Sequence, residues 1–243
     1  MDCKIIAHRG ASGLAEFDNT IEAFEKAVEI GADMIEFDVR KTKDDRLVAF
    51  HDASIEGKKI SNLEYEGLLR VSEKKGYRVP KVEEVVRLCK GDVGLDIELK
   101  EEGYEKEVID LVKNYLEYDE FIMKSFSDTT VKTIKKIDSS IDAGLLLGVD
   151  DPSSKLKARF SELFPGKRLK RCSADFVSPN HRLLKLFFLK RMKKLGADVY
   201  VWTVNDKDLM EKLLNKNVAA IITDKPGLAL KIKQRVESES ERQ

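Results

Sequence analysis

In Met34-Ile35-Glu36-Phe37-Asp38-Val39, apolar and acidic side chains alternate. Successive residues of a strand point to opposite faces, so Ile35, Phe37 and Val39 share one face and Glu36 and Asp38 the other. Leu95-Asp96-Ile97-Glu98-Leu99-Lys100 repeats the pattern, with Leu95, Ile97 and Leu99 on one face and Asp96, Glu98 and Lys100 on the opposite one.

Short β-rich runs of this kind recur at residues 4–8, 121–124, 143–147, 175–177, 199–203 and 219–222. Helical patterns fill the intervals, at 21–30, 82–88, 104–116, 129–137, 156–163, 183–195, 208–214 and 228–236. Strands alternating with helices predict parallel βαβ units, and eight such units in 243 residues match one α/β domain, a single (β/α)8 TIM barrel over residues 1–243. A doubly wound open sheet is the alternative that the pattern alone leaves standing. In a barrel the outer strand face lies under helices and has to be apolar. The acids of the quoted strands then point inward or toward the rim, where burial is costly unless a cation or a partner neutralises them.

Two stretches break the rhythm. Residues 40–93 separate the second and third strands, far more than one crossover helix occupies. They hold an extra short strand at 47–50, a polar stretch and a small helix at 63–69, before Val79-Pro80 leads into the returning helix. This reads as a small insertion between strands 2 and 3, about residues 52–80, on one face of the barrel. The second break is at 150–171, where Gly, Pro and basic residues intervene. From Glu237 onward the chain is polar and is expected to fray.

Charged residues make up 36% of the chain, well above the usual quarter, which fits a surface laced with ion pairs. The 44 Lys and Arg balance the 44 Asp and Glu, so no global charge bias points to nucleic acid as a partner. Cys3, Cys89 and Cys172 lie far apart with no CxxC, which predicts neither a disulfide framework nor a cysteine zinc site and suits a reducing cytoplasm. Met1-Asp2-Cys3 enters an apolar run with no basic region before it, so no signal peptide is expected. No apolar stretch approaches the ~20 residues of a membrane span.

Glu36, Asp38 and Glu98 form a candidate site for one hard divalent cation, Mg2+ or Ca2+, with Mn2+ a further candidate. The plainer alternative is the solvated face of a two-layer sheet. His8 ends the first strand and His51 ends the short extra strand. In a barrel such strand ends lie on the catalytic face, and an imidazole suits general acid or base work near neutrality. A single histidine in that position is more often structural; two beside a carboxylate strand weigh against that. His181, in Ser178-Pro179-Asn180-His181, begins a helix and reads as capping or loop chemistry. Arg9 and Lys100 lie near the same rim, either to hold a phosphate or to pair with the acids beside them. Asn19 reads as a cap for the first helix, with Glu22 three residues on completing a capping-box-like pair.

These residues resemble the glycerophosphodiester phosphodiesterase family, a branch of the phospholipase-C-like phosphodiesterase barrels. The matches run through the chain in order: His8-Arg9-Gly10, Asn19-Thr20, Glu36-Phe37-Asp38-Val39, His51-Asp52, Val79-Pro80 with Glu83-Glu84-Val85, Ile97-Glu98-Leu99-Lys100, Ser125-Phe126, Trp202-Thr203-Val204-Asn205 and Thr223-Asp224-Lys225-Pro226. The resemblance implies that Glu36, Asp38 and Glu98 hold the metal and that His8 and His51 are the acid–base pair. It implies further that Arg9 and Lys100 hold the phosphate and that Trp202 lines the pocket near the glycerol; read by itself, Trp202 is a core residue. Three positions depart from the family's motifs: Phe17 stands for Pro, Asp18 for Glu and Lys81 for Thr.

The implied activity is hydrolysis of glycerophosphodiesters to sn-glycerol 3-phosphate and an alcohol. Two alternatives remain. Residues 155–194 hold 13 Lys and Arg against two Asp and Glu, and Phe187, Phe188 and Met192 lie among them. That strip raises a lysophospholipase D-like enzyme in contact with membranes, although an outer barrel helix explains it more simply. It also raises a barrel that binds phosphodiesters or nucleic acid without turnover.

Overall fold

The computed structural model describes residues 3–148 and 161–240. Eight parallel strands close on themselves: β1 (Lys4–His8), β2 (Met34–Lys41), β6 (Gly94–Leu99), β7 (Phe121–Ser125), β8 (Ala143–Leu147), β9 (Phe176–Pro179), β10 (Asp198–Val201) and β11 (Ala220–Thr223). β1 pairs with both β2 and β11, which makes the sheet a barrel and removes the open-sheet alternative. Helices cover the outside: α1 (Ile21–Ile30), α3 (Val82–Cys89), α4 (Glu105–Lys113), α5 (Asp128–Ile137), α6 (Gly166–Cys172), α7 (Phe188–Leu195), α8 (Lys207–Leu214) and α9 (Pro226–Ser240).

The strand alternation sorts the side chains as expected. Ile35, Phe37, Val39, Leu95, Ile97 and Leu99 are buried in the shell between strands and helices. Full burial of each such side chain contributes roughly 1.5–3 kcal/mol. The opposite parity fills the interior, where Ile6, Met34, Ile122, Phe176, Ala220 and Ile222 cluster with Tyr200 and Trp202. Glu36, Asp38, Asp96 and Glu98 share that inward face and are buried too.

Residues between β2 and α3 form the excursion expected there. β3 (Leu47–Ala49) returns antiparallel on β2, β4 (Ser54–Ile55) and β5 (Lys58–Lys59) make a small hairpin, and α2 (Tyr65–Lys74) follows. The excursion has a small core of its own around Val48, Ile55, Ile60, Tyr65, Leu68 and Val79.

Several expectations are corrected. The helix over 183–195 is a 3-10 turn (His181–Leu183) and then α7, because Leu186 and Phe187 take left-handed backbone angles, φ 50° and 58°. The break at 150–171 contains α6, entered from Pro165. The chain from Glu237 does not fray at once: α9 runs on to Ser240, with Val236 buried and Arg235 paired to Glu211. Of the helix expected at 156–163, residues 156–160 lie outside the described residues, as does the start of the expected break; 161–163 are helical. The cap of α1 is Thr20, whose hydroxyl accepts from the Ala23 amide; Asn19 is drawn elsewhere. Among the described residues no helix is long and apolar enough to cross a membrane. The three cysteines are buried and none is in a disulfide among the described residues.

Candidate active site

Strand register assembles the site. His8 pairs with Glu36, Asp38 with Glu98, and Glu98 with Lys124, all on the inward face. Glu36, Asp38 and Glu98 each offer one carboxylate oxygen, and the three oxygens lie within 4.8 Å of one another. Their residues are 1%, 1% and 6% exposed, so water does little to separate their charges.

Three cations lean on this cluster, Lys124 among them at 3.6 Å from Glu36. Lys100 Nζ stands 2.6 Å from Glu98 and 3.1 Å from Asp38. Arg9 Nε is 3.2 Å from Asp38, and Arg9 Nη1 donates to Asp18 at 2.9 Å. The ion pairs read as one role for Arg9 and Lys100 are therefore present. Burial opposes the charge on Asp38, but Lys100, Arg9 and His51 outweigh it and hold the carboxyl well below the usual range. Glu98 is pushed the other way, to about 7, by burial and by Asp38 and Glu36, with Lys100 only partly compensating. An all-oxygen, buried, anionic donor set of this size fits a hard divalent ion.

The ligand cluster is braced from behind. The Asn19 amide donates to Asp38 Oδ2 at 2.9 Å, and the Asn19 carbonyl oxygen accepts from the Asp38 amide at 3.2 Å. The pull of Asp38 explains why Asn19 leaves the helix cap to its neighbour. The Arg9 amide donates to Glu36 at 3.0 Å. Gly10 makes that turn possible: its φ is +81°, and a Cβ there would lie 2.6 Å from the Ala23 backbone.

Each histidine is held by a carboxylate at Nδ1. His8 Nδ1 is 2.7 Å from Asp224 Oδ1, and Asp224 in turn accepts from Ser12 and Asn205. This leaves His8 Nε2 facing Glu36, 3.9 Å away. Burial disfavours the charged ring, but Glu36 and Asp224 outweigh it and raise the imidazole above its ordinary pKa. His51 Nδ1 is 2.8 Å from Asp52, and the His51 carbonyl accepts two bonds from the Arg40 guanidinium, at 2.8 and 2.6 Å.

His8, Arg9, Glu36, His51, Glu98, Lys100 and Trp202 line one cavity, with Asp38 just behind it. The structure thus brings all eight expected site residues together at one mouth of the barrel. The Trp202 indole donates to the Ser178 carbonyl at 2.8 Å and meets Phe126 edge-on, so it is braced as well as exposed to the cavity. His181 is not among the lining residues; its amide donates to the Trp202 carbonyl.

The site roles of four supporting residues escaped the sequence reading: Asp224, Asn19, Arg40 and Lys124. Lys124 was legible, because Phe121 and Met123 point outward and the same alternation turns Lys124 in. Asp224 lay in a recognised segment but had no visible partner.

The sequence profile of the Glycerophosphoryl diester phosphodiesterase family matches residues 8–228, from the first of these histidines to the start of the last helix. The chain belongs to this family. Its reaction class is phosphoric diester hydrolysis. A glycerophosphodiester phosphodiesterase of Caldanaerobacter subterraneus subsp. tengcongensis is 32% identical over 244 residues, covering 93% of this chain and 96% of the relative. A human lysophospholipase D is 28% identical over 263 residues, covering 92% and 83%. An Oleispira antarctica phosphodiesterase, solved with the product sn-glycerol-3-phosphate, superposes with a TM-score of 0.79 at 22% identity, covering 97% and 96%.

Proposed function

We propose that the protein hydrolyses glycerophosphodiesters to sn-glycerol 3-phosphate and an alcohol, with one divalent cation held by Glu36, Asp38 and Glu98. The observation that carries this reading is the pair of carboxylate-anchored histidines facing one cavity with the three acids. A bound Mg2+ or Ca2+, or Mn2+, would supply Lewis-acid neutralisation of charge on a non-bridging phosphate oxygen.

The chain's own groups do the rest. Lys100 has three N–H donors and uses two on Glu98 and Asp38, so a third remains for a phosphate oxygen. Arg9 Nη1 donates to Asp18 and Nε lies within ion-pairing distance of Asp38, which leaves Nη2 for a phosphate oxygen. With Nδ1 of each histidine tied to a carboxylate, Nε2 is the working atom of both. One Nε2 takes the proton of the attacking hydroxyl, from water or from the substrate's own glycerol. The other gives a proton to the leaving alcohol; where the glycerol hydroxyl attacks, the cyclic phosphate so formed is then opened by water with the two proton-transfer roles exchanged. The Trp202 wall takes the glycerol arm.

The test is turnover of glycerophosphocholine with Mg2+, Ca2+ and Mn2+ in turn, and in excess EDTA. His8→Ala and His51→Ala should each cost roughly 10²–10⁴-fold. Undiminished turnover in the chelator, or by His8→Ala, sinks the mechanism. We further infer a reducing cytoplasm, with which three buried thiols accord.

A second reading keeps the chemistry and takes lysophospholipids. Leu186 and Phe187 are 62% and 79% exposed beside Lys185 and Lys190, a pairing that suits an anionic membrane surface. Co-sedimentation with anionic vesicles that disappears at high salt would favour it.

A further inference from the structure

A phosphodiester carries two alcohol arms, and in displacement at phosphorus the attacking and leaving oxygens lie roughly in line on opposite sides. The catalytic cavity has its Trp202 wall for one arm. A second recess, of about 160 Å³, shares Arg9 and His51 with that cavity but none of the Trp202 wall. Phe17, Phe50 and Tyr77 form its sides, and Asp18 and Asp52 edge it.

The Phe17 and Tyr77 rings stack with centroids 4.7 Å apart at 27°. Tyr77 reaches Phe17 because Gly76, at φ +91°, turns the chain sharply just after α2. Asp18 pairs with Arg9 and Asp52 with His51, so each carboxylate borders both the reaction centre and the recess. Besides burial, Asp18 and Asp52 both push the Tyr77 phenol up, which places the ring in the field of the two charges. Arg9 is the cation facing the recess among the described residues, and it already meets Asp38 and Asp18. An alcohol arm entering here finds aromatic faces and two carboxylates, the chemistry that recognises an ammonium group.

We propose that this recess is a head-group subsite that selects glycerophosphodiesters whose alcohol carries an ammonium, quaternary or primary, over those with neutral or anionic alcohols. It rests on the phosphodiesterase reaction proposed above.

The test compares kcat/KM for glycerophosphocholine and glycerophosphoglycerol in the Mg2+-loaded full chain. The choline diester should be favoured about tenfold, the scale of a partly desolvated cation–aromatic contact. Phe17→Leu and Tyr77→Leu should each shrink that ratio several-fold through KM for the choline diester, while Tyr77→Phe, which keeps the ring, preserves it. Circular dichroism monitors folding, and Phe17→Leu carries the comparison if Tyr77→Leu fails to fold. A parent ratio near one, or a ratio that survives loss of the rings, overturns the subsite. If neither diester turns over, the reaction fails, and saturation-transfer NMR with free choline still decides the recess. Transfer to the choline methyls that Phe17→Leu lacks supports it; absence of transfer to the parent protein overturns it.

Discussion

Lys124 Nζ lies 2.6 Å from Asp96 Oδ2 inside the barrel, where the two side chains are 2% and 0% exposed. Lys124 is also 3.6 Å from Glu36, so it links the buried pair to the metal-type cluster above it. Burial opposes its charge, but Asp96, Glu36 and Glu98 outweigh that and hold the ammonium well above the ordinary lysine range. Lys124→Met removes the cation and strands Asp96. Breaking a buried pair in this way costs roughly 3–5 kcal/mol, to be read from urea denaturation. Adding Asp96→Leu should restore most of the loss, and a double variant as unstable as the single one would contradict this account.

The His8–Asp224 contact predicts a kinetic phenotype without a stability phenotype of similar size. Asp224→Asn keeps the shape but no longer holds His8 Nδ1 as a hydrogen-bond donor to a carboxylate. We expect kcat to fall on the order of 10²-fold, with far-UV dichroism unchanged. A parental rate would mean that the contact does not orient the ring for catalysis.

Three carboxylates packed within 4.8 Å predict that a divalent ion stabilises the fold. At about 100 times its Kd, an ion that binds only the folded state adds roughly 2.7 kcal/mol. Differential scanning fluorimetry should show Tm rising with Mg2+ or Ca2+, and Glu98→Gln losing most of the rise. In EDTA the sign reverses: the variant should melt no lower than the parent, because Asp38 and Glu36 no longer face a third acid.

Asp138 offers a pH test away from the site. Its carboxylate accepts from Lys113 Nζ and Tyr118 OH at 2.6 and 2.7 Å, and from the Ser140 amide at 3.0 Å. These bonds hold it at about 2, below the ~3.9 of an unfolded aspartate. The stabilisation is therefore present above pH ~4 and fades as pH falls toward 2. Asp138→Asn should lower Tm near neutrality, with the gap to the parent closing on acidification. A gap that stays constant across that range would show that the charge is not the cause.

The inward acids were legible from a period of two within single strands, and the barrel from eight strands alternating with helices. Of the expected site residues, Glu36, Asp38, Glu98 and Lys100 came from that alternation, His8, Arg9 and His51 from their places at strand ends, and Trp202 from the family pattern alone. What remained hidden depended on contacts that no local pattern encodes. Asn19 has the side chain of a helix cap, and only the approach of Asp38 draws it away. The break before α7 was invisible because apolar periodicity does not register that Leu186 and Phe187 take positive φ. The persistence of α9 past Glu237 reflects its packing through Val236 and its tie to Glu211, not its polar composition.

His8 and Asp224 are 216 positions apart, one at the end of the first strand and the other just past the last. A chain growing on the ribosome therefore makes the ring long before its anchor. Until β11 slots in beside β1, the β1 edge is unpaired and the His8 ring has no fixed tautomer. A product terminated short of that strand would lack both the barrel's closing strand and the His8 anchor, so competence waits on β11.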